Sequence, residues 1–519
     1  MSTSTVPAIE YPDKIDAAVL KVAGVVVLGA IMSILDITVV NVALPTFQRV
    51  FGSDPVHPVA YATVAWTVTA YTLALATVIP LTGWAADRFG TKRLYVLALV
   101  LFTAGSALCA AASSIGMLIG FRVLQGLGGG MLMPLGMTIM TKAAGPARMG
   151  RLMAILGVPM LLGPILGPIL GGWLIDNANW HWILLINVPI GVLSAVYALW
   201  ALPKDRPTPS ESLDLVGVAL MSPGLAAFLY GVSSIPSEGT MNAPKVYLPM
   251  AIGALLMAVF VWHTFRPEHP LLDLRLFRNR ELTVATVTLF LFGAAFFGAL
   301  LLVPSYLQEV RGNTPFDAGV LVAPQGLGAM LTMPIAGALA DRIPVGRIVP
   351  VGLALIISTM FLLTQITSTT SYNELRLLLF VMGLGMGATM MPIMTSALKT
   401  LRGPEVARGS TLLNIIQQVA SSAGVAVMSV LLTSHLKDSP IAGAAIRSWV
   451  DPSVAAKIGG KAGVAQGLVK AAEAWASTYW VAAFLVAGTL IPAFFLPLRR
   501  RAITAPDQVG EGAPAVMVH

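Results

Sequence analysis

Charged side chains are scarce in this chain. Lys, Arg, Asp and Glu together make up 11% of 519 residues, where a soluble globular protein carries about 25%. Cysteine is scarcer still. Cys109 stands alone, which excludes an intramolecular disulfide and a cysteine-based metal site. His57, His181, His263, His269, His435 and His519 are scattered, and no His-Glu-x-x-His stretch occurs. That argues against an intramembrane metalloenzyme. No Gly-x-x-x-x-Gly-Lys-Ser/Thr loop is present to cradle a nucleotide, so ATP is not the expected energy source. No pore-ring signature points to a channel. A soluble signalling domain, a cofactor and enzymatic activity are not expected.

Apolar length is what the chain has. Hydrophobic residues make up 56% and the mean hydropathy is +0.81. A stretch of about 20 apolar residues crosses the hydrocarbon layer. The pattern predicts an all-α polytopic membrane protein with fourteen spans: 17–44, 59–84, 93–113, 115–141, 150–175, 180–202, 213–235, 246–265, 281–308, 316–340, 346–367, 375–398, 409–434 and 475–497. Residues 1–16 are polar, and the first apolar run is too long for a signal peptide, so no cleavable signal is expected. The net charge of +8 suits loop orientation better than nucleic acid. With the N-terminus inside, most of the 32 Lys and Arg residues fall on the cytoplasmic side, as the positive-inside rule requires. Both termini are then cytoplasmic.

Two stretches repeat. "GWAADRFGTKR" (83–93) follows span 2 and "GALADRIPVGR" (337–347) follows span 10. Each reads Gly-x-x-x-Asp-Arg, then a glycine and a basic residue, which marks two related halves. The expected organisation is a six-span bundle (1–203), a linker with inserted spans 7 and 8 (204–270), and a second six-span bundle (271–519). The last unit contains an outer loop (435–474).

"LDITVVNVALP" (35–45), "GWAADRFGTKR", "RVLQGLGGG" (122–130), "GVPMLLGPILGPILGG" (157–172) and "WHWILLINVPIG" (180–191) occur in this order. Together they resemble the motifs of the major facilitator superfamily, in its fourteen-helix drug:proton antiporter group of the EmrB/QacA type. His181 departs from the usual Arg. The resemblance implies a major facilitator fold in a bacterial cytoplasmic (inner) membrane and proton-driven multidrug efflux, with consequences for antibiotic resistance. The cargo would be a small lipophilic or amphipathic compound. A functional monomer is expected, and some relatives use a membrane-fusion subunit. Other readings of the fold are export of an endogenous lipid or metabolite, and, disfavoured by the span 5 motif, a symporter or facilitator.

Asp36 in span 1 and Arg122 in span 4 are opposite charges at a similar depth of about 10–12 Å from the outer ends. An intramembrane charge is costly and is functional by default. The pair is read either as a proton-coupling pair or as a structural ion pair. Glu309, ending span 9, is either a second protonation site or an interfacial residue beside Arg311. Asp87, Arg88 and Arg93, with Asp341 and Arg342 of the repeat, are candidates for closing the inner side. In span 5, Gly163, Gly167 and Gly171 share one face, and Pro164 makes the helix bendable. The resemblance implies that this face packs against the other bundle near the outer side and helps gate transport.

A pocket for varied lipophilic cargo needs apolar and aromatic area with a few polar anchors. The candidates are Trp66, Tyr71, Met131, Phe296, Gln325, Met390, Asn414 and Gln417, with Met133, Phe297 and Met391 beside them. Span 10 carries Gln325 and Ala329 and no mid-membrane acid, where some members of the group it resembles that handle dicationic drugs carry an Asp, so the resemblance gives less support to dicationic substrates.

Overall fold

The computed structural model describes residues 17–52, 59, 61–144, 163, 166–167, 169–175, 177–204, 212–238, 241–399, 401, 405–449 and 452–498. Among them there is no strand, as expected for lipid, where only helices or closed barrels satisfy the backbone. Among the described residues, thirteen helices are long and apolar enough to cross a membrane. Most of the remaining expected span, 150–175, lies outside the described residues.

Local sequence explains where the helices start and break. The Asn279 side chain caps Arg280–Leu300 by accepting from the amides of Glu281 and Leu282. Thr314 caps Pro315–Arg342, with Pro315 in its first turn. Three spans are interrupted. Span 6 divides into His181–Leu185 and Asn187–Ala201, span 9 into Arg280–Leu300 and Leu302–Glu309, and span 14 into Gly460–Gly488 and Leu490–Ala493. Each first part ends four residues before a proline: Pro189, Pro304 and Pro492. Proline lacks the N–H for that carbonyl, and its ring crowds it.

Two boundaries differ from expectation. Span 1 runs to Val50 rather than 44. The expected outer loop 435–474 is largely helical: Pro440–Arg447, Pro452–Lys457 and the first turns of Gly460–Gly488. Lys461, Lys470 and Glu473 stand on a helix that projects beyond the apolar layer, and Lys470 pairs with Glu473 at 2.7 Å. Hydropathy marks only the lipid-facing part of such a helix.

Span 4 packs on spans 1, 2 and 3, and span 12 on spans 10 and 11. Spans 7 and 8 pack on each other, and span 7 also meets spans 2 and 13. Span 13 joins the halves by packing on spans 2 and 4. At the end carrying the basic loops, here termed the inner end, a Cβ on Gly83 would meet the backbone of Ala407 and Arg408.

The span 5 glycine face lies elsewhere than expected. Cβ atoms on Gly163, Gly167 and Gly171 would meet Ile34, Thr38 and Val39 of span 1, within the same half. Thr38 Oγ1 donates to the Gly163 carbonyl at 3.0 Å. Small residues permit this approach in lipid, but spacing alone does not name the partner helix. Pro164 lies outside the described residues.

The inserted pair is tied at its inner end by Asp214. Its carboxylate accepts from the Gly217 amide at 2.8 Å, the Leu271 amide at 3.2 Å and His263 Nε2 at 2.8 Å. Burial alone would raise this carboxyl. The Gly217 amide, His263 and the Leu271 amide outweigh it and hold the carboxyl below its ordinary value.

Two outcomes are expected. Gly167→Leu lowers the thermal unfolding temperature in detergent, an overpacking cost of about 1–3 kcal/mol. Gly172→Leu, where a Cβ meets nothing within 4 Å, leaves it unchanged. The Asp214 joint stabilises the fold above the ordinary carboxylate range, and this is lost as pH falls through the lowered native value. Thermal scans against pH should therefore show Asp214→Ala below wild type at neutral pH, with the gap closing in acid.

Candidate functional site

Span 1 brings Asp36, and span 4 brings Arg122, to one buried point. Asp36 is 1% exposed and Arg122 is fully buried. Arg122 Nη1 donates to Asp36 Oδ2 at 2.5 Å, and its Nε donates to the Thr67 carbonyl at 3.0 Å. The guanidinium carbon lies 4.2 Å from the centre of the Tyr71 ring, a cation–π contact. Tyr71 OH is 3.3 Å from Ser33 Oγ. Glycines in span 4 make this fit possible. A Cβ on Gly126 would strike the Tyr71 carbonyl, and one on Gly129 the Tyr71 hydroxyl.

Three polar side chains complete the network. Gln125 Oε1 accepts from Arg122 Nη1 at 2.8 Å, while its Nε2 donates to Asp36 Oδ1 at 2.8 Å. Asn187 Nδ2 donates to Asp36 Oδ1 at 2.9 Å and to Ser106 Oγ at 3.1 Å. Ser106 also accepts from Gln125 and donates to the Leu184 carbonyl. Spans 1, 2, 3, 4 and 6 thus share one network, in which spans 4 and 6 bond the Asp36 carboxylate directly. Arg122 Nη2 is buried with no hydrogen-bond partner among the described residues, leaving a donor for an incoming acceptor. Gln125 and Asn187 lie inside the motifs quoted above, one turn from Arg122 and at the restart of span 6. Ser106 carries no such signal.

Glu309 is not part of this network. It ends span 9, and its carbonyl accepts from Trp449 Nε1 at 3.0 Å. Arg311 instead bonds the Thr370 carbonyl at 2.6 Å and faces the Tyr372 ring.

The acids of the two inner loops face basic residues outside the repeated stretches. In the second half Lys399 Nζ bonds Asp341 Oδ1 at 2.9 Å. In the first half Lys142, at the corresponding end of span 4, lies within electrostatic reach of Asp87. So does Arg408 of span 13, from the other half. Arg88, Arg93 and Arg342 are exposed at this end.

The residues expected to bind cargo are dispersed. Tyr71 is fully buried beneath Arg122 rather than facing an open cavity. Trp66 stacks on Tyr230 of span 7, 5.6 Å between ring centres. Phe296 is buried on Phe292 and edge-on to Phe297. Met131, Met390 and Met391 are buried. Gln325 is buried, and its Nε2 has no partner among the described residues. Asn414 sits where the halves meet, with Nδ2 3.0 Å from Met137 Sδ and 2.8 Å from the Ser410 carbonyl. Gln417, one turn on, and Met133 are half-buried.

Removing one member of a buried ion pair strands the other at a cost of about 3–5 kcal/mol. Arg122→Leu should therefore lower the unfolding temperature sharply. The double variant Asp36→Leu/Arg122→Leu should recover much of the loss, as measured by differential scanning fluorimetry in detergent.

Residues 26–425 match the family described as Major Facilitator Superfamily. The chain is 48% identical over 502 residues to the "Multidrug resistance protein B homolog" of Mycobacterium tuberculosis, covering 94% of this chain and 92% of that protein. It is 32% identical over 417 residues to the "Putative multidrug resistance protein MdtD" of Klebsiella pneumoniae, covering 79% and 85%. Among solved structures, the human organic anion transporter MFSD10 (TETRAN) superposes with a TM-score of 0.58 at 17% identity, over 92% of this chain and 100% of that one. This last likeness is one of fold. The chain belongs to the major facilitator superfamily, and it is a transporter rather than an enzyme.

Proposed function

We propose that the chain is a proton-driven antiporter that exports lipophilic drugs or similar small amphipathic compounds across the bacterial cytoplasmic membrane, with both termini cytoplasmic. The observation that carries this reading is the Asp36–Arg122 pair, sealed inside the apolar part of the first half. An acid there gains or loses a proton only with a change in its surroundings. Protonation cancels its charge and releases the guanidinium, which must then find another acceptor. Proton binding and the arrangement of spans 1 and 4 are thereby linked. The relatives named for multidrug resistance support the choice of cargo. Half-buried Asn414 and Gln417 at the meeting of the halves supply polar anchors for it. The absence of a mid-membrane acid from span 10 favours neutral and singly charged compounds over dications.

The test is proton release from purified protein in vesicles, with ethidium and with neutral lipophilic drugs. Wild type should release protons in response to at least one of them. Asp36→Asn should lose at least about ten-fold of that response, while drug binding, measured by fluorescence anisotropy, persists. Drug-dependent proton movement unchanged in Asp36→Asn overturns the coupling role of Asp36. No drug-dependent movement in wild type overturns the drug reading, and leaves an endogenous lipid or metabolite as cargo.

A further inference from the structure

The hydrogen bonds around Asp36 run in one direction. Pro189 breaks span 6 at Ile186, and the nearby Leu184 carbonyl is taken by the Ser106 hydroxyl at 2.9 Å. Having donated its hydrogen there, Ser106 Oγ can only accept. It accepts from Asn187 Nδ2 at 3.1 Å and from Gln125 Nε2 at 3.2 Å. The second hydrogen of each amide goes to Asp36 Oδ1, at 2.9 Å from Asn187 and 2.8 Å from Gln125. From the other side, Arg122 offers only donors. Its Nη1 bonds Gln125 Oε1, which determines which way that amide lies. Among the described residues, every group hydrogen-bonded to the Asp36 carboxyl is therefore a donor. A carboxylate accepts all of them. A protonated carboxyl would carry a hydrogen with no acceptor facing it among the described residues.

We propose that Asn187 is a positioning residue for proton exchange at Asp36, its amide holding the acid ionised and setting the pH at which transport takes up a proton. This rests on the antiport reading above. Asn187 is 2% exposed and is the span 6 side chain that bonds Asp36. A shift of span 6 against span 1 removes one donor from Oδ1 and eases protonation. The other ionisable groups that face Asp36 are Arg122 of span 4, Tyr71 of span 2 and Cys109 of span 3. None of them donates to Oδ1: Arg122 bonds Oδ2, Tyr71 OH meets Ser33, and Cys109 Sγ lies 3.7 Å from Gln125 Oε1.

Asn187→Leu keeps the volume and removes the donor, and Asn187→Gln keeps a donor on a longer arm. Both would be compared with wild type and Asp36→Asn in liposomes, reading ethidium-driven proton release across a pH series. In parallel, the protonated-carboxyl stretch would be titrated by infrared difference spectroscopy, with Asp36→Asn identifying the band. In Asn187→Leu the transport midpoint and the carboxyl band should both move to higher pH by about one unit or more. Asn187→Gln should return both toward wild type. An unmoved band in folded Asn187→Leu overturns the role of Asn187. A band that moves while the transport profile stays put overturns the antiport reading and leaves the contact itself standing. Should Asn187→Leu fail to fold, Ser106→Ala releases the same amide from its anchor. The band should then move in the same direction by a smaller amount, and no movement overturns the proposal.

Discussion

A guanidinium and a carboxylate closed together inside an apolar bundle set the terms for the first half of this transporter. Each ion loses several kcal/mol of hydration on leaving water. The loss is tolerable only if nearly every donor and acceptor around the pair is matched. The matching recruits a backbone carbonyl from span 2, a serine from span 3, a glutamine from span 4 and an asparagine from span 6. Such a network does not survive loose packing. The close approach of span 2 to span 4 at Gly126 and Gly129, and of span 3 to span 4 at Gly105 beside Gln125, is what brings its members within reach. The glycines and the charges are parts of one requirement.

Prolines contribute in a way that a kink alone does not convey. Each of the three interrupted spans divides four residues before a proline, and each division leaves carbonyls without their usual helical partner. In span 6 Pro189 frees the Leu185 carbonyl, and one residue before it the Leu184 carbonyl accepts from Ser106, which gives the hydrogen bonds reaching Asp36 their direction. Helix geometry and acid chemistry are thus joined through a backbone atom.

The spans were legible in the sequence because about 20 apolar residues in a row have few other uses. Asp36 and Arg122 were legible because a charge within such a run is costly enough to require a reason. Ser106 was not. A serine or threonine in a membrane helix ordinarily returns its hydrogen to its own preceding turn, as Thr103 does to the Leu99 carbonyl. Ser106 instead reaches across to another span, a choice made by tertiary contact alone. The partner of the span 5 glycine face was hidden for the same reason, since spacing reveals a close approach but not to what. The outer helices 440–447 and 452–457 were not legible as helices because eight and six residues are too short to make a membrane-length apolar run, and the first is held by packing on the last long helix.

The two halves are alike at their inner ends and unlike in their middles. Asp341 with Lys399 in one half mirrors Asp87 near Lys142 in the other. Yet only the first half carries an acid and an arginine at mid-span, while the second offers Gln325, Met390 and other uncharged groups there. Symmetry at the ends suits a rocking motion, because both halves must make and break the same kind of contact. Asymmetry in the middle leaves the first half as the place where a buried ionisable group answers to a change in its surroundings. Span 13 connects the two. It places Arg408 within reach of Asp87, and Asn414 against Met137 one helix removed from the buried pair. On the proposed reading, a cargo molecule that displaces Asn414 from Met137 disturbs span 4, the helix that holds Arg122 over Asp36. On the proposed antiport reading, cargo and proton need not touch to compete, because both act on span 4, one at the level of Met137 and the other at the level of Arg122.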